Sequence, residues 1–181
     1  MTVCAKLLEA KAAADVQNNA NDTAHIYPAA HGHETVCDTL LDANCGVDIQ
    51  NKDNDTALIC AARNGYESVC GKLLEGKATI LVHKKEKDTT PICAAAKGHE
   101  TVCGKLLESK AAVDVQNKHG DTALMWAARS GHSLVCGQLS DAKAALNAQD
   151  NDKDSAIICA ARSGHKTVCG KLLKAKAAAG I

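Results

Sequence analysis

Ten cysteines and eight histidines in 181 residues are the side chains with most chemistry to offer. Thiols and imidazoles can hold zinc, exchange disulfides or act as nucleophile and base. Their spacing favours none of these. No C-x-x-C occurs, and no Cys/His spacing matches a zinc site. Instead Cys4, Cys37, Cys70, Cys103, Cys136 and Cys169 recur every 33 residues. Cys60, Cys93 and Cys159 fall on a second row of the same period, and Cys45 lies outside both. If each row is one position of a repeated helix, neighbouring members sit ~8–10 Å apart. A disulfide needs Cα atoms within about 4.4–6.8 Å. The rows therefore predict small buried hydrophobes rather than bridges or ligands, and the chain is expected to carry no metal or cofactor.

Histidine and aspartate follow the same period. His33, His99, His132 and His165, with Tyr66 in place of a fifth, each come after a glycine. Their expected role is to hydrogen-bond loop backbone at a turn. His25, His31, His83 and His119 stand apart and are expected to be exposed. Asp22, Asp55, Asp88, Asp121 and Asp154 precede an apolar run, where a carboxylate complements a helix N-terminus. One carboxylate per period is too sparse for the six to eight oxygens of a calcium site. The G-K pairs at 71–72, 104–105 and 170–171 are followed by Leu, so they are not phosphate loops, and no nucleophile-elbow or zincin motif occurs. No enzyme is expected.

The period itself defines the elements. Gly32, Gly65, Gly98, Gly131 and Gly164 are equally spaced, as are Thr23, Thr56, Thr89, Thr122 and Ser155. So are Val3, Val36, Val69, Val102, Val135 and Val168. Within one unit, Thr122 caps a short helix containing Ala127 and Ala128, whose small side chains admit a close neighbour. Gly131 ends that helix in a left-handed turn. Val135, Cys136 and Leu139 form the buried stripe of a second helix, and an extended, polar-tipped hairpin leads onward. The expected architecture is one all-α domain, 1–181, with short β-hairpin-like loops. It comprises a half unit over 1–18 and full units over 19–51, 52–84, 85–117, 118–150 and 151–181. Aromatic residues are only 2% of the chain against 46% hydrophobic. That composition suits thin layers rather than one thick globule.

The segments N-D-T-A-L-I-C-A-A-R-N-G-Y (54–66), G-H-E-T-V-C-G-K-L-L-E (98–108) and G-D-T-A-L-M-W-A-A-R-S-G-H (120–132) resemble ankyrin repeats, and the resemblance recurs in phase across the chain. It implies a right-stacked solenoid of 33-residue repeats. The His of the family's T-P-L-H is lost in every unit, and of its Pro only Pro91 survives nearby, still in the first turn. The Gly that closes the family's second helix is replaced by Lys11, Asn44, Lys77, Lys110, Lys143 and Lys176. A residue there must adopt a left-handed conformation or let the helix continue. Gly71, Gly104, Gly137 and Gly170 inside the second helix each cost roughly 1 kcal/mol against Ala.

The resemblance also implies a protein partner, gripped by the loop tips and the concave first-helix face. Carried over by position, the tips are Lys52 and Asp53, Lys85 and Glu86, Lys118 and His119, Asn151 and Asp152. The helix ends supply His31, Arg63 and Asn64, Lys97, Arg129 and Ser130, Arg162 and Ser163. Tyr27 and Trp126 interrupt the first-helix cysteine row, as anchors or as void fillers, and Trp126 beside Arg129 is the preferred anchor. Zero net charge, 21 Lys+Arg against 21 Asp+Glu, argues against nucleic acid. No apolar run is long enough to span a membrane. Ten cysteines behind a poor secretory signal point to the cytoplasm or nucleus. A monomer is expected, although Val3 and Leu7 lack the cover of a first helix, as a cut or self-associating end would. A partnerless, synthetic-like scaffold is the alternative reading; a thiol-based metal or redox protein is a third.

Overall fold

The computed structural model describes residues 3–10, 12–43, 45–80 and 88–180. The chain falls into two compact units, Met1–Ile80 and Leu81–Ile181. The first contains α1 (Val3–Glu9), α2 (Ile26–His31), α3 (Glu34–Asp42), α4 (Ala57–Asn64) and α5 (Glu67–Glu75). The second contains α6 (Thr90–Lys97), α7 (Glu100–Glu108), α8 (Ala123–Arg129), α9 (Ser133–Asp141), α10 (Ala156–Arg162) and α11 (Lys166–Ala178). In each unit first helices pack on first helices and second helices on second helices. Thus α2 meets α4 and α1, α3 and α5 form a row, while α6, α8 and α10 run beside α7, α9 and α11. The periodic sequence predicts this two-row stack, and no strand is assigned among the described residues.

Small side chains make the stack possible. Ala61, Ala62, Ala94, Ala95, Ala127 and Ala128 are fully buried, so neighbouring first helices approach without bulk between them. Leu58, Leu73, Leu106, Leu124 and Leu139 fill the remaining space, each contributing about 1.5–3 kcal/mol on burial. Val3 and Leu7 occupy the row positions of Val36 and Leu40, yet are 75% and 55% exposed.

Caps set the helix limits. Thr56, Thr89 and Thr122 accept from the backbone N–H of Ile59, Ile92 and Met125, as their place before each apolar run predicts. The pattern fails at α2. Pro28 has no N–H and its ring excludes the carbonyl four residues back, so it is tolerated only in a first turn. The helix therefore starts at Ile26, with Pro28 third, rather than at the position equivalent to Ala57. Ile26 N–H donates to the Thr23 carbonyl at 3.2 Å rather than to its side chain, and Thr23 Oγ1 is buried without a partner among the described residues.

Both predicted fates of lysine at the end of the second helix occur. Lys77, Lys110 and Lys143 are left-handed, with φ of 62°, 59° and 63°. The following residues, Ala78, Ala111 and Ala144, donate back to Leu73, Leu106 and Leu139 at 2.8, 2.9 and 3.0 Å, closing the helix as a Schellman turn does. Lys176 instead lies within α11, which runs on to Ala178. The equivalent residues Lys11 and Asn44 lie outside the described residues.

Candidate protein-binding surface

Among the described residues, four repeat tips are built alike. The side-chain oxygen of Asn51 accepts from the N–H groups of Asp53 and Asp55 at 2.9 and 3.0 Å. Asn18, Asn117 and Asp150 do the same two and four residues ahead. A backbone bond closes each turn, from Asn51 N–H to the Asp55 carbonyl at 3.1 Å and from Asn117 N–H to the Asp121 carbonyl at 3.0 Å. Neighbouring tips are linked, with Lys52 N–H donating to Ala20 and Asn151 N–H to His119. Lys52, Asp53, Lys118, His119, Asn151 and Asp152 are all exposed on these tips. Lys85 and Glu86 lie outside the described residues.

The Arg row has partners within its own repeats. Arg63 grips Asp55 with two bonds, 2.6 and 2.9 Å. Arg129 donates to Asp121 at 2.8 Å and approaches Asp150 at 3.4 Å, and Arg162 pairs with Asp154. Helical side chains lean toward the N-terminus, so an Arg in the last turn reaches back over its helix to the Asp before the cap. These aspartates, each directly before a cap, therefore also serve as partners of the arginines. Asp22 and Asp88 have no such Arg and accept from the Asn51 and Asn117 side chains at 3.0 and 2.7 Å. An acid eight residues before an Arg, repeated at the period, was the signal available in the sequence.

Trp126 and Arg129 come together as expected: the guanidinium lies over the indole at 5.0 Å. Both are half-buried, and the indole Nε1 is enclosed without a partner among the described residues. Burial works against the Arg129 charge, and the hydrogen-bonded Asp121 carboxylate more than offsets it, raising the pKa. Ser130 is half-buried beside them. Tyr27 is 59% exposed, so it fills no void, and its ring stacks on His31 at 4.2 Å. Asn64, Lys97, Arg162 and Ser163 are exposed, whereas Arg63 is half-buried. Tyr27, His31, Lys52, Asp53, Arg63 and Asn64 belong to the first unit. Lys97, Lys118, His119, Trp126, Arg129, Ser130, Asn151, Asp152, Arg162 and Ser163 belong to the second.

Two of the imidazoles that follow the repeat glycines bond loop backbone as expected, while His33 is exposed. His132 Nε2 donates to the Ala96 carbonyl at 3.2 Å and His165 Nε2 to that of Arg129 at 3.1 Å, each one repeat back. The His132 ring also covers Gly98, whose φ is +73° and where a Cβ would sit 2.5 Å from Nδ1. Tyr66 covers Gly32 in the same manner. Of the isolated histidines, His31 and His119 are exposed as expected, and His83 lies outside the described residues. His25 is a correction: it is fully buried. It stands 33 residues before Leu58, the core leucine of the first helix, and that register outweighs its polarity.

Seven cysteines are buried, among them Cys37, Cys70, Cys103 and Cys136, and no disulfide joins any two among the described residues. Burial, helped by Asp38, pushes the Cys37 thiol up to about 11, and burial pushes Cys103 and Cys136 up to about 12. Such thiols stay protonated and behave as small apolar groups. Among the described residues no group of three or more His, Cys, Asp or Glu side chains converges as a metal site would, and no helix is long and apolar enough to cross a membrane.

A family model of ankyrin repeats in three copies matches residues 1–88, 72–150 and 92–180. Together with the helix–turn–helix stack, this places the chain in the ankyrin repeat family, with its helical solenoid fold. Ankyrin repeats are in general protein–protein interaction modules, and proteins built from them are typically non-enzymatic. A comparison with curated proteins gave no match.

Proposed function

We propose that this chain is a non-catalytic recognition module that grips a partner protein with the tips and first-helix faces of its repeats. It is a monomer inside the cell, in cytoplasm or nucleus, its repeats form one array, and it uses neither nucleic acid nor membrane. The observation that supports this reading most is the pairing of Trp126 with Arg129. A large half-exposed aromatic is held against a guanidinium that Asp121 already orients. Ordering costs are thereby met before a partner arrives, which favours tight binding, and Trp and Arg are the residue types enriched where binding energy concentrates. Lys118, His119, Asn151 and Asp152 on the adjoining tips would supply polar contacts.

The scaffold alternative draws on a specific observation as well: Arg63, Arg129 and Arg162 are all committed to aspartates of their own repeats. Affinity capture with the wild-type chain and with Trp126→Ala plus Arg129→Ala separates the two readings, once circular dichroism shows equal helicity. Loss of captured proteins in the variant is the expected result. Equal recovery discards the anchor, and no recovery by either chain favours the scaffold.

A further inference from the structure

The core of the first unit contains one ionisable group where its repeats otherwise place an aliphatic side chain. His25 has 0% exposure, and neither ring nitrogen has a hydrogen-bond partner among the described residues. The equivalent residues Leu58, Pro91 and Leu124 are likewise buried and Ile157 is half-buried, so the position otherwise takes apolar side chains. A neutral imidazole there forgoes hydrogen bonds, and a charged one would have to be desolvated as well.

We propose that His25 makes the first unit acid-labile: protonation of its imidazole opens the α2–α3 repeat while the second unit stays folded. The groups around it support the charge too weakly to offset its burial. Asp15, on the loop before α2, faces the ring, but one of its oxygens is engaged by Gly46 N–H at 2.7 Å. Cys45, on the loop after α3, presents its backbone to the imidazole without reaching hydrogen-bond geometry. α3, packed on α2, carries the buried titratable residue Cys37, protonated at neutral pH. α4, packed on α2, carries the buried Cys60 and Arg63, whose guanidinium bonds Asp55. Burial lowers the affinity of His25 for a proton more than Cys45 and Asp15 raise it.

The sign follows from linkage. With a folded-state pKa below the ordinary 6.5, the opened form binds the proton more tightly. Stability is therefore full above pH 6.5 and is lost as pH falls through the folded value.

Hydrogen exchange of the full-length chain at pH 7.5 and 5.5, corrected for intrinsic rates, tests the proposal. Protection of the amides of residues 26–42 should fall several-fold, to a limit of about tenfold one unit below pH 6.5, while α8 and α10 keep theirs. His25→Leu, which restores the side chain of the equivalent repeats, and His25→Met as a second apolar substitution should each abolish the fall. A wild-type change under twofold, or a fall that persists in whichever variant folds, overturns the proposal.

Discussion

Arg129 holds its guanidinium 5.0 Å from the ring centre of Trp126 while bonding Asp121 at 2.8 Å. Two loads thus rest on one side chain. The Asp121 side chain is only 5% exposed, so removing Arg129 strands a carboxylate away from water. The Arg162–Asp154 pair differs, because its Arg is 68% exposed. Arg129→Ala should cost ~2 kcal/mol, below the full penalty for breaking a buried pair because the Arg is partly solvated. Arg162→Ala should cost less than about 1 kcal/mol. Urea unfolding followed by circular dichroism measures both, and equal costs would contradict the ranking.

Helix-interior glycines leave stability unused. A Cβ at Gly170 would meet nothing within 4 Å, one at Gly137 only Lys171 Nζ at 4.0 Å, and one at Gly104 only Gln138 Nε2 at 3.7 Å. Each Gly→Ala change at these positions should raise stability by ~1 kcal/mol. Gly98→Ala should do the reverse, because the new methyl would overlap His132 and the backbone there has positive φ. Thermal unfolding of the four single variants reads the contrast.

High pH should unfold the protein through its thiols. Buried Cys37, Cys103 and Cys136 have pKa values of about 11 to 12 against 9.0 unfolded. Because the folded state favours the protonated thiol, stability is intact below pH 9 and lost as pH rises toward 12. Cys103→Ala and Cys136→Ala together should flatten that alkaline slope in denaturation midpoints from pH 8 to 11, even though the cavities lower stability at pH 8.

Left-handed lysines carry strain that glycine would not. Lys110→Gly and Lys143→Gly should each add about 0.5–1 kcal/mol, the relieved strain less the greater freedom of the unfolded chain. Lys176→Gly, inside α11, should lose about 1 kcal/mol. Melting temperatures moving in opposite directions would confirm that the local conformation decides the sign.

Much of the fold could be read from period alone, because insertion-free repetition ties every Thr cap, Gly turn and Val–Cys stripe to one layer. The details that escaped depend on pairs or on single departures. The Asp121–Arg129 link spans eight residues and is visible only once the helix between them is known. His25 looked polar and therefore exposed, although its place in the leucine row buries it. Pro28 shortened α2 because its effect depends on which turn it occupies. The surface residues were harder still: Trp126 and Tyr27 sit at equivalent positions, yet one is half-enclosed and the other stands out in solvent.

The way each tip is held has an evolutionary consequence. Asn51, Asn117 and Asp150 fix the backbone of the residues after them, so the form of the finger does not depend on which side chains cap it. Mutation can rewrite Lys118 and His119 while the chain path that displays them persists. If the tips bind as proposed, new specificities would arise one fingertip at a time, without the fold being renegotiated at each step.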